Sequence, residues 1–198
     1  MAEGKTKEKR YAMVIDLRRC VGCMSCQVTC KMENNVPFDF FRSKVLITER
    51  GTYPDVKRRF LPVLCNHCEE APCVQVCPVG ASYRREDGVV LVDQDKCIGC
   101  GYCVEACPYD ARYINPFTGT ADKCTFCQPR IDSGLEPACV HNCMGQARIF
   151  GDLNDPNSAV SKLVNGNSVQ TLKGNLGTEP RVFYISADLV TLDRKEGE

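Results

Sequence analysis

The sequence Cys97-Ile98-Gly99-Cys100-Gly101-Tyr102-Cys103-Val104-Glu105-Ala106-Cys107-Pro108 decides how this chain is organised. Its cysteines follow the spacing Cys-x2-Cys-x2-Cys-x3-Cys-Pro, which is typical of segments that bind 4Fe–4S clusters. In such a run the fourth cysteine ligates the other cluster of a pair. The stretch therefore predicts an iron–sulfur protein in which cysteine blocks work in pairs.

The rest of the chain repeats this pattern, because its 16 cysteines fall into four blocks of four. In every block two residues separate the first two cysteines and three residues separate the last two, so only the middle gap varies. Block one is Cys20, Cys23, Cys26 and Cys30; block two is Cys65, Cys68, Cys73 and Cys77; block three is Cys97, Cys100, Cys103 and Cys107; block four is Cys124, Cys127, Cys139 and Cys143. This internal repeat has to be explained before any fold is argued.

Three chemistries compete for these cysteines. Disulfides suit small secreted domains, and cysteines two residues apart make poor disulfide pairs outside redox-active sites. Zinc is the stronger alternative, because two Cys-x2-Cys pairs can hold one tetrahedral ion. A zinc site has no use, however, for a third and a fourth cysteine that directly follow the first pair. The spacing therefore favours four 4Fe–4S clusters.

The last two cysteines of a block stand at i and i+4, which places both on one face of a helical turn. Such a turn can lie between two clusters and supply one cysteine ligand to each of them. We expect blocks two and three to pair, and blocks one and four to pair across the chain. The predicted ligand sets are Cys20, Cys23, Cys26 and Cys143 (quartet A); Cys124, Cys127, Cys139 and Cys30 (quartet B); Cys65, Cys68, Cys73 and Cys107 (quartet C); and Cys97, Cys100, Cys103 and Cys77 (quartet D).

The segments between the blocks predict an α+β fold of two ferredoxin-like two-cluster units, built from short strands and helical turns. We expect strands over Tyr11–Leu17 and Val182–Ser186, a hairpin with strands near 44–48 and 58–63, and a second hairpin around Asp87-Gly88. Helices have room only to be short. The predicted organisation is a flexible N-terminus (1–10), a first unit (11–34 and 115–150), a hairpin insertion (35–64), a second unit (65–114) and a C-terminal partner-docking extension (151–198).

Charge and composition exclude several functions. The 25 Lys and Arg balance 25 Asp and Glu, so we expect no nucleic-acid partner. No apolar run reaches the length of a membrane span, and we expect no secretory signal in the polar stretch at 1–10. Sixteen cysteines would saturate sixteen irons, which leaves no open iron for a small-molecule substrate and predicts no catalytic residues. His67 and His141 are expected to hydrogen-bond rather than ligate. Basic residues beside the blocks are expected to screen the clusters or tune their potentials: Arg18, Arg19, Lys31, Lys96, Arg112, Lys123 and Arg148.

Over Tyr11–Phe150 the chain resembles a known subunit type, on the four blocks together with the stretches 14–17, 64–68 and 81–88. It is similar to the four-cluster ferredoxin-like electron-transfer subunit of the dimethyl sulfoxide reductase family, of the type found in polysulfide, thiosulfate, tetrathionate and arsenate reductases. Some members replace one cysteine of the third block by Trp and hold a 3Fe–4S cluster there. This chain keeps Cys100 and has no Trp, so the resemblance implies four 4Fe–4S clusters.

The resemblance also implies partners and a location. The partners are a molybdopterin-containing catalytic subunit and a membrane anchor subunit that reacts with quinone. The expected location is peripheral on the membrane, on its periplasmic face after folded export with a partner, with the cytoplasm as the alternative. Two other functions stay open: the electron-transfer subunit of a formate dehydrogenase- or hydrogenase-type complex, and a zinc-stabilised interaction module.

Overall fold

The computed structural model describes residues 9–187. The predictions for residues 1–8 and 188–198, at the two ends of the chain, lie outside the described residues. The described helices are α1 (Ser25–Asn34), α2 (Pro72–Gln75), α3 (Tyr102–Glu105), α4 (Gln128–Asp132), α5 (Ala138–His141) and α6 (Ala159–Gly166). The strands are β1 (Tyr11–Asp16), β2 (Ser43–Arg50), β3 (Lys57–Leu64), β4 (Ser82–Arg84), β5 (Val90–Val92), β6 (Arg112–Ile114), β7 (Ala121–Lys123), β8 (Arg148–Asp152), β9 (Val169–Gln170) and β10 (Val182–Ile185). No helix in this part of the chain is long and apolar enough to span a bilayer.

A four-stranded sheet joins the two ends of the described chain. Its order is β8-β1-β10-β9, with β1 parallel to β10 and antiparallel to β8. Both faces of β1 are buried, which explains its unbroken apolar sequence. Val14 packs toward α6 through Val160, whereas Met13 and Ile15 belong to the cluster that contains cysteines of blocks one, two and four. The sheet therefore supports the cysteine-rich region on one face and a helix on the other.

The six remaining strands of the described residues form three two-stranded hairpins. β2 pairs with β3, and β4 pairs with β5, as the sequence predicts. Gly88 in the second of these has a positive φ of 85°, which the Asp-Gly turn requires. The third hairpin, β6 with β7, was not predicted. It connects blocks three and four and carries the buried basic residues Arg112 and Lys123.

The expectation that the helices are short is confirmed within residues 9–187, because every helix there is shorter than the average of about 11–12 residues. Helix α1 has 10 residues and continues past Cys30, because no Gly or Pro interrupts Ser25–Asn34. It ends where Asn35 adopts a left-handed conformation and donates its N–H to the Lys31 carbonyl. Helix α6 has 8 residues, and the Ser158 side chain accepts a hydrogen bond from Ser161 N–H at its start.

The segment 151–187 is more regular than the sequence suggests. The predicted strand at 182–186 is present as β10, but α6, β9 and the end of β8 also lie here. Val182 and Tyr184 are fully buried, and the Tyr184 hydroxyl donates to the Pro62 carbonyl at 2.9 Å. This segment is therefore part of the core, while its role in partner docking stays a prediction.

Candidate iron–sulfur sites

The structure places the four cysteines of each predicted quartet together. The cysteines of quartet D line one pocket, and those of quartet A line another. In both, one cysteine comes from a different block than the other three. Within the described part of the chain, no three His, Cys, Asp or Glu side chains are arranged to hold a single metal ion.

Quartets B and C lie deeper in the molecule. The Cys30 thiol interacts electrostatically with Cys139 and Cys127 of quartet B, and Cys124 interacts with Cys30 and Cys139. In quartet C, the Cys68 thiol interacts in the same way with Cys65, Cys73 and Cys107. All four cysteines of quartet B are buried, as are three of quartet C.

The quartets follow one another in a definite order through the molecule. Cys139 of quartet B is electrostatically coupled to Cys26 of quartet A. Cys124 of quartet B is coupled to Cys65 of quartet C. The charge of Arg112 interacts with cysteines of both quartet C and quartet D. The core packing agrees, because one buried cluster contains cysteines of A, B and C and another contains cysteines of C and D. The order is therefore A, B, C, D, with A and D as the outer quartets and B and C as the inner ones.

The first loop of every block has one conformation in common. The second residue after the first cysteine has a positive φ in all four: Gly22 at 66°, His67 at 44°, Gly99 at 68° and Phe126 at 51°. This conformation favours glycine, which the outer loops contain. At the inner loops the side chains of His67 and Phe126 stack on each other, with ring centroids 3.7 Å apart.

Backbone N–H groups point at the sulfur atoms. Four such bonds fall in the last three blocks, two of them in block four: Ser82 N–H to Cys77 Sγ (3.4 Å), Ala121 N–H to Cys97 Sγ (3.4 Å), Phe126 N–H to Cys124 Sγ (3.4 Å) and Ala147 N–H to Cys143 Sγ (3.2 Å). Burial alone would raise the pKa of Cys77, but the N–H groups of Ser82, Val79, Ala81 and Gly80 outweigh it and lower the pKa. This loop thus favours the thiolate form of Cys77 that metal ligation needs.

Burial acts in the opposite direction at the inner quartets. It raises the pKa of Cys30 and of Cys68 to about 12 and that of Cys124 well above its usual value. Thiols in such places release their protons when a cationic group binds them. The cysteines of the inner quartets are therefore better suited to binding iron than to existing as free thiolates.

Buried cations provide an independent test of that fit. Arg112, Lys123 and Arg148 are each at most 5% exposed, and among residues 9–187 none of them has a carboxylate partner. Nε and Nη1 of Arg112 and Nε of Arg148 lack a hydrogen-bond partner there. Buried charges are normally paired. Anionic groups held by the neighbouring cysteines would supply the missing partners, so the residues present fit 4Fe–4S clusters.

The two outer quartets reach the surface. Cys23 of quartet A and Cys100 of quartet D are the exposed cysteines of the chain. Exposed apolar side chains surround each of them: Val21 and Met144 beside quartet A, and Ile98 and Tyr102 beside quartet D. The row of quartets therefore begins and ends at the surface.

The two histidines differ. His67 is fully buried and its Nδ1 accepts the Val90 N–H at 3.1 Å, rather than donating to sulfur or to a carbonyl. Burial, together with Lys123, Arg112 and Arg181, lowers the pKa of His67 well below its usual value. His141 is exposed at the end of α5. The hydrogen-bonding role expected of histidine is thus seen at His67, with a different partner.

Comparison with known proteins agrees with this geometry. The 4Fe-4S dicluster domain family matches residues 56–153, which contain blocks two, three and four. The B subunit of tetrathionate reductase from Salmonella typhimurium is 52% identical over 183 residues, covering 90% of this chain and 73% of the relative. A putative iron-sulfur subunit of dimethyl sulfoxide reductase from Halobacterium salinarum is 46% identical over 209 residues, covering 90% and 80%. The arsenate respiratory reductase iron-sulfur subunit ArrB of a Shewanella species is 41% identical over 224 residues, covering 89% and 96%.

These findings define an iron–sulfur protein of α+β fold that carries 4Fe–4S clusters. Within that class, the chain belongs to the ferredoxin-like electron-transfer subunits of the dimethyl sulfoxide reductase family, which confirms the predicted resemblance. It is an iron–sulfur electron-transfer subunit, like its relatives that are named as subunits of tetrathionate, arsenate and selenate reductases. The comparisons favour this function over the formate dehydrogenase, hydrogenase and zinc-module alternatives.

Proposed function

We propose that this subunit holds four 4Fe–4S clusters, one in each quartet, and relays single electrons between its two outer quartets. The sixteen cysteines of quartets A, B, C and D are the proposed iron ligands. The observation that carries the proposal is the row of quartets A, B, C and D, which is exposed only at its two ends. The proposed organisation is two ferredoxin-like units, one built from blocks one and four and the other from blocks two and three.

The bound clusters supply reversible one-electron transfer. The chain supplies what controls it. Its loops hold backbone N–H groups against sulfur, and the packing around β1 and the His67–Phe126 stack excludes water from the inner quartets. With every iron held by a cysteine, no position is left for a small-molecule substrate. We therefore assign no catalytic residue to this chain.

The loaded subunit carries a large negative charge. Sixteen thiolates and four oxidised cores with two positive charges each change the formal charge from zero to about −8. Buried positive charge is then needed, and Arg112, Lys123 and Arg148 provide it. Within residues 9–187 these three cations have no carboxylate partner, so their charge is available to balance the negative charge of four loaded quartets.

The proposed partners follow from the relatives. We propose a molybdopterin-containing catalytic subunit that reduces a sulfur compound or an oxyanion, and a membrane anchor subunit that reacts with quinone. One would dock over the apolar surface at each outer quartet. The proposed location is peripheral on the membrane, at the periplasmic face.

Metal analysis of the full chain, purified without oxygen, tests the proposal. The expected content is about sixteen iron and sixteen acid-labile sulfide atoms per chain, with signals from reduced 4Fe–4S centres in electron paramagnetic resonance. Zinc in place of iron, or iron for two clusters only, would contradict it. Affinity capture of the tagged chain from cells grown with the native operon should recover a molybdopterin protein, and its absence would contradict the proposed partner.

A further inference from the structure

Three buried cations stand out against the basic residues on the surface. Arg112 and Arg148 occupy the same repeat position, five residues after the last cysteine of blocks three and four. Each donates to a buried serine: Arg112 Nη2 to Ser82 Oγ at 2.9 Å and Arg148 Nη2 to Ser43 Oγ at 2.8 Å. Two unrelated serines, one from β4 and one from β2, thus hold the two guanidinium groups in equivalent places.

Each arginine lies between two quartets. Arg148 Nη1 donates to Cys139 Sγ of quartet B at 3.5 Å, and its charge also interacts with Cys26 of quartet A. The charge of Arg112 interacts with Cys73 and Cys65 of quartet C and with Cys103 of quartet D. The two arginines therefore occupy the junctions A–B and C–D.

Lys123 occupies the remaining junction. Its Nζ donates to the carbonyl oxygens of Val90 and Cys124, which anchors it between block four and the β4–β5 hairpin. Its charge interacts with Cys65 and Cys73 of quartet C and with Cys124 of quartet B. The equivalent lysine of block three, Lys96, is a surface residue that pairs with Asp93 at 3.1 Å and is 66% exposed.

We propose that Arg148, Lys123 and Arg112 are positioning residues that place one positive charge at each junction between consecutive clusters, so that each cation raises the reduction potentials of the two clusters beside it. The inference rests on the proposed function, because it requires four loaded quartets. A nearby cation stabilises the more negative, reduced state of a cluster. A charge shared between neighbours also offsets the repulsion between two reduced clusters, which low internal dielectric would otherwise strengthen.

The experiment compares Arg148→Gln, Lys123→Met and Arg112→Gln in the full chain purified anaerobically, with midpoint potentials measured by paramagnetic resonance during redox titration. Each change should lower two of the four midpoints by at least tenfold in the reduction equilibrium, which is about 59 mV for one electron. Arg148→Gln and Arg112→Gln should lower different pairs, and Lys123→Met should lower one midpoint from each pair. This overlap pattern needs no assignment of signals to quartets.

Matched controls separate charge from packing. Lys96→Met should leave all four midpoints in place. Arg112→Lys and Arg148→Lys keep the charge and should restore the wild-type midpoints. A Gln variant that fails to load iron is judged by the matching Lys variant. Full iron content and wild-type midpoints in the Lys variant support the proposal, whereas loss of iron from the Lys variant overturns the proposal.

Other outcomes overturn the inference without touching the proposed function. Three results in protein that retains its full iron content would overturn it. The midpoints could move no more than in Lys96→Met, all four could shift equally, or Arg148→Gln and Arg112→Gln could lower the same pair. A wild-type chain with far fewer than about sixteen irons would instead refute the proposed function.

Discussion

The inner and outer quartets use the same cysteine spacing in different surroundings. The outer loops have Gly22 and Gly99 at the positive-φ position and leave one cysteine of each quartet exposed. The inner loops have His67 and Phe126 there, stacked on each other in the interior. The comparison teaches that the cysteines define where a cluster can bind. The residues between them decide whether that cluster lies at an exposed end of the row or in its buried middle.

The largest difference between the two kinds of quartet should follow loss of a cysteine. Cys100→Ser, in an outer quartet, should remove about a quarter of the iron and leave the rest in place. Cys124→Ser should remove at least about half, because this buried ligand of quartet B packs in the same core cluster as Cys65 of quartet C. Iron and sulfide analysis of anaerobically purified full chains measures both. Equal losses from the two variants would mean that inner and outer quartets load independently.

The inner stack should be the next most sensitive feature. Phe126→Ala removes a side chain that is 1% exposed and that also contacts Phe150 edge-on, with centroids 5.2 Å apart. Such a deletion costs about 3–5 kcal/mol, measured as a lower urea midpoint for the loaded chain. Phe117→Ala is the control, because Phe117 is 82% exposed and should change stability by less than about 0.5 kcal/mol. Equal effects of the two changes would show that the His67–Phe126 stack does not stabilise the inner quartets.

The outer loops should show a smaller effect that depends on close backbone approach. A Cβ on Gly99 would lie 2.2 Å from the Gly119 carbonyl oxygen, so Gly99→Ala should cost about 1–3 kcal/mol and release quartet D iron first on heating. Gly80→Ala is the control, since Gly80 also has a positive φ of 62° but no atom within 4 Å of the place that a Cβ would take. It should cost only the backbone strain, about 1 kcal/mol. An equal cost for both would show that the close approach is unimportant.

Three cysteines of each quartet come from one block, whereas the fourth comes from another block, and the iron-ligand sets stay a prediction. Two residues between cysteines fix a tight loop, and three residues fix one helical turn. The predicted pairing of blocks two and three rests on the short segment between them, which leaves blocks one and four to pair. The hairpins around Gly88 and Gly51 were predictable for a similar reason, since their turn residues lie within a few positions of the strands.

Burial could not be predicted in this way, because it depends on residues far away in the chain. Lys96 and Lys123 both stand in the sequence Asp-Lys-Cys, yet one is on the surface and the other is 1% exposed. The difference comes from the β4–β5 hairpin, whose Val90 carbonyl accepts from Lys123. The repeat position shared by Arg112 and Arg148 was the one signal in the sequence that could have identified the buried cations.

The parallel pairing of β1 with β10 has a consequence for biosynthesis. Met13 aligns with Val182 and Asp16 with Ile185, so the strand that leads into block one gains this neighbour only after residues 182–185 have left the ribosome. Blocks two and three, by contrast, are close together in sequence and can meet early. Cluster insertion should therefore begin at blocks two and three and finish at quartets A and B, after β10 has been synthesised.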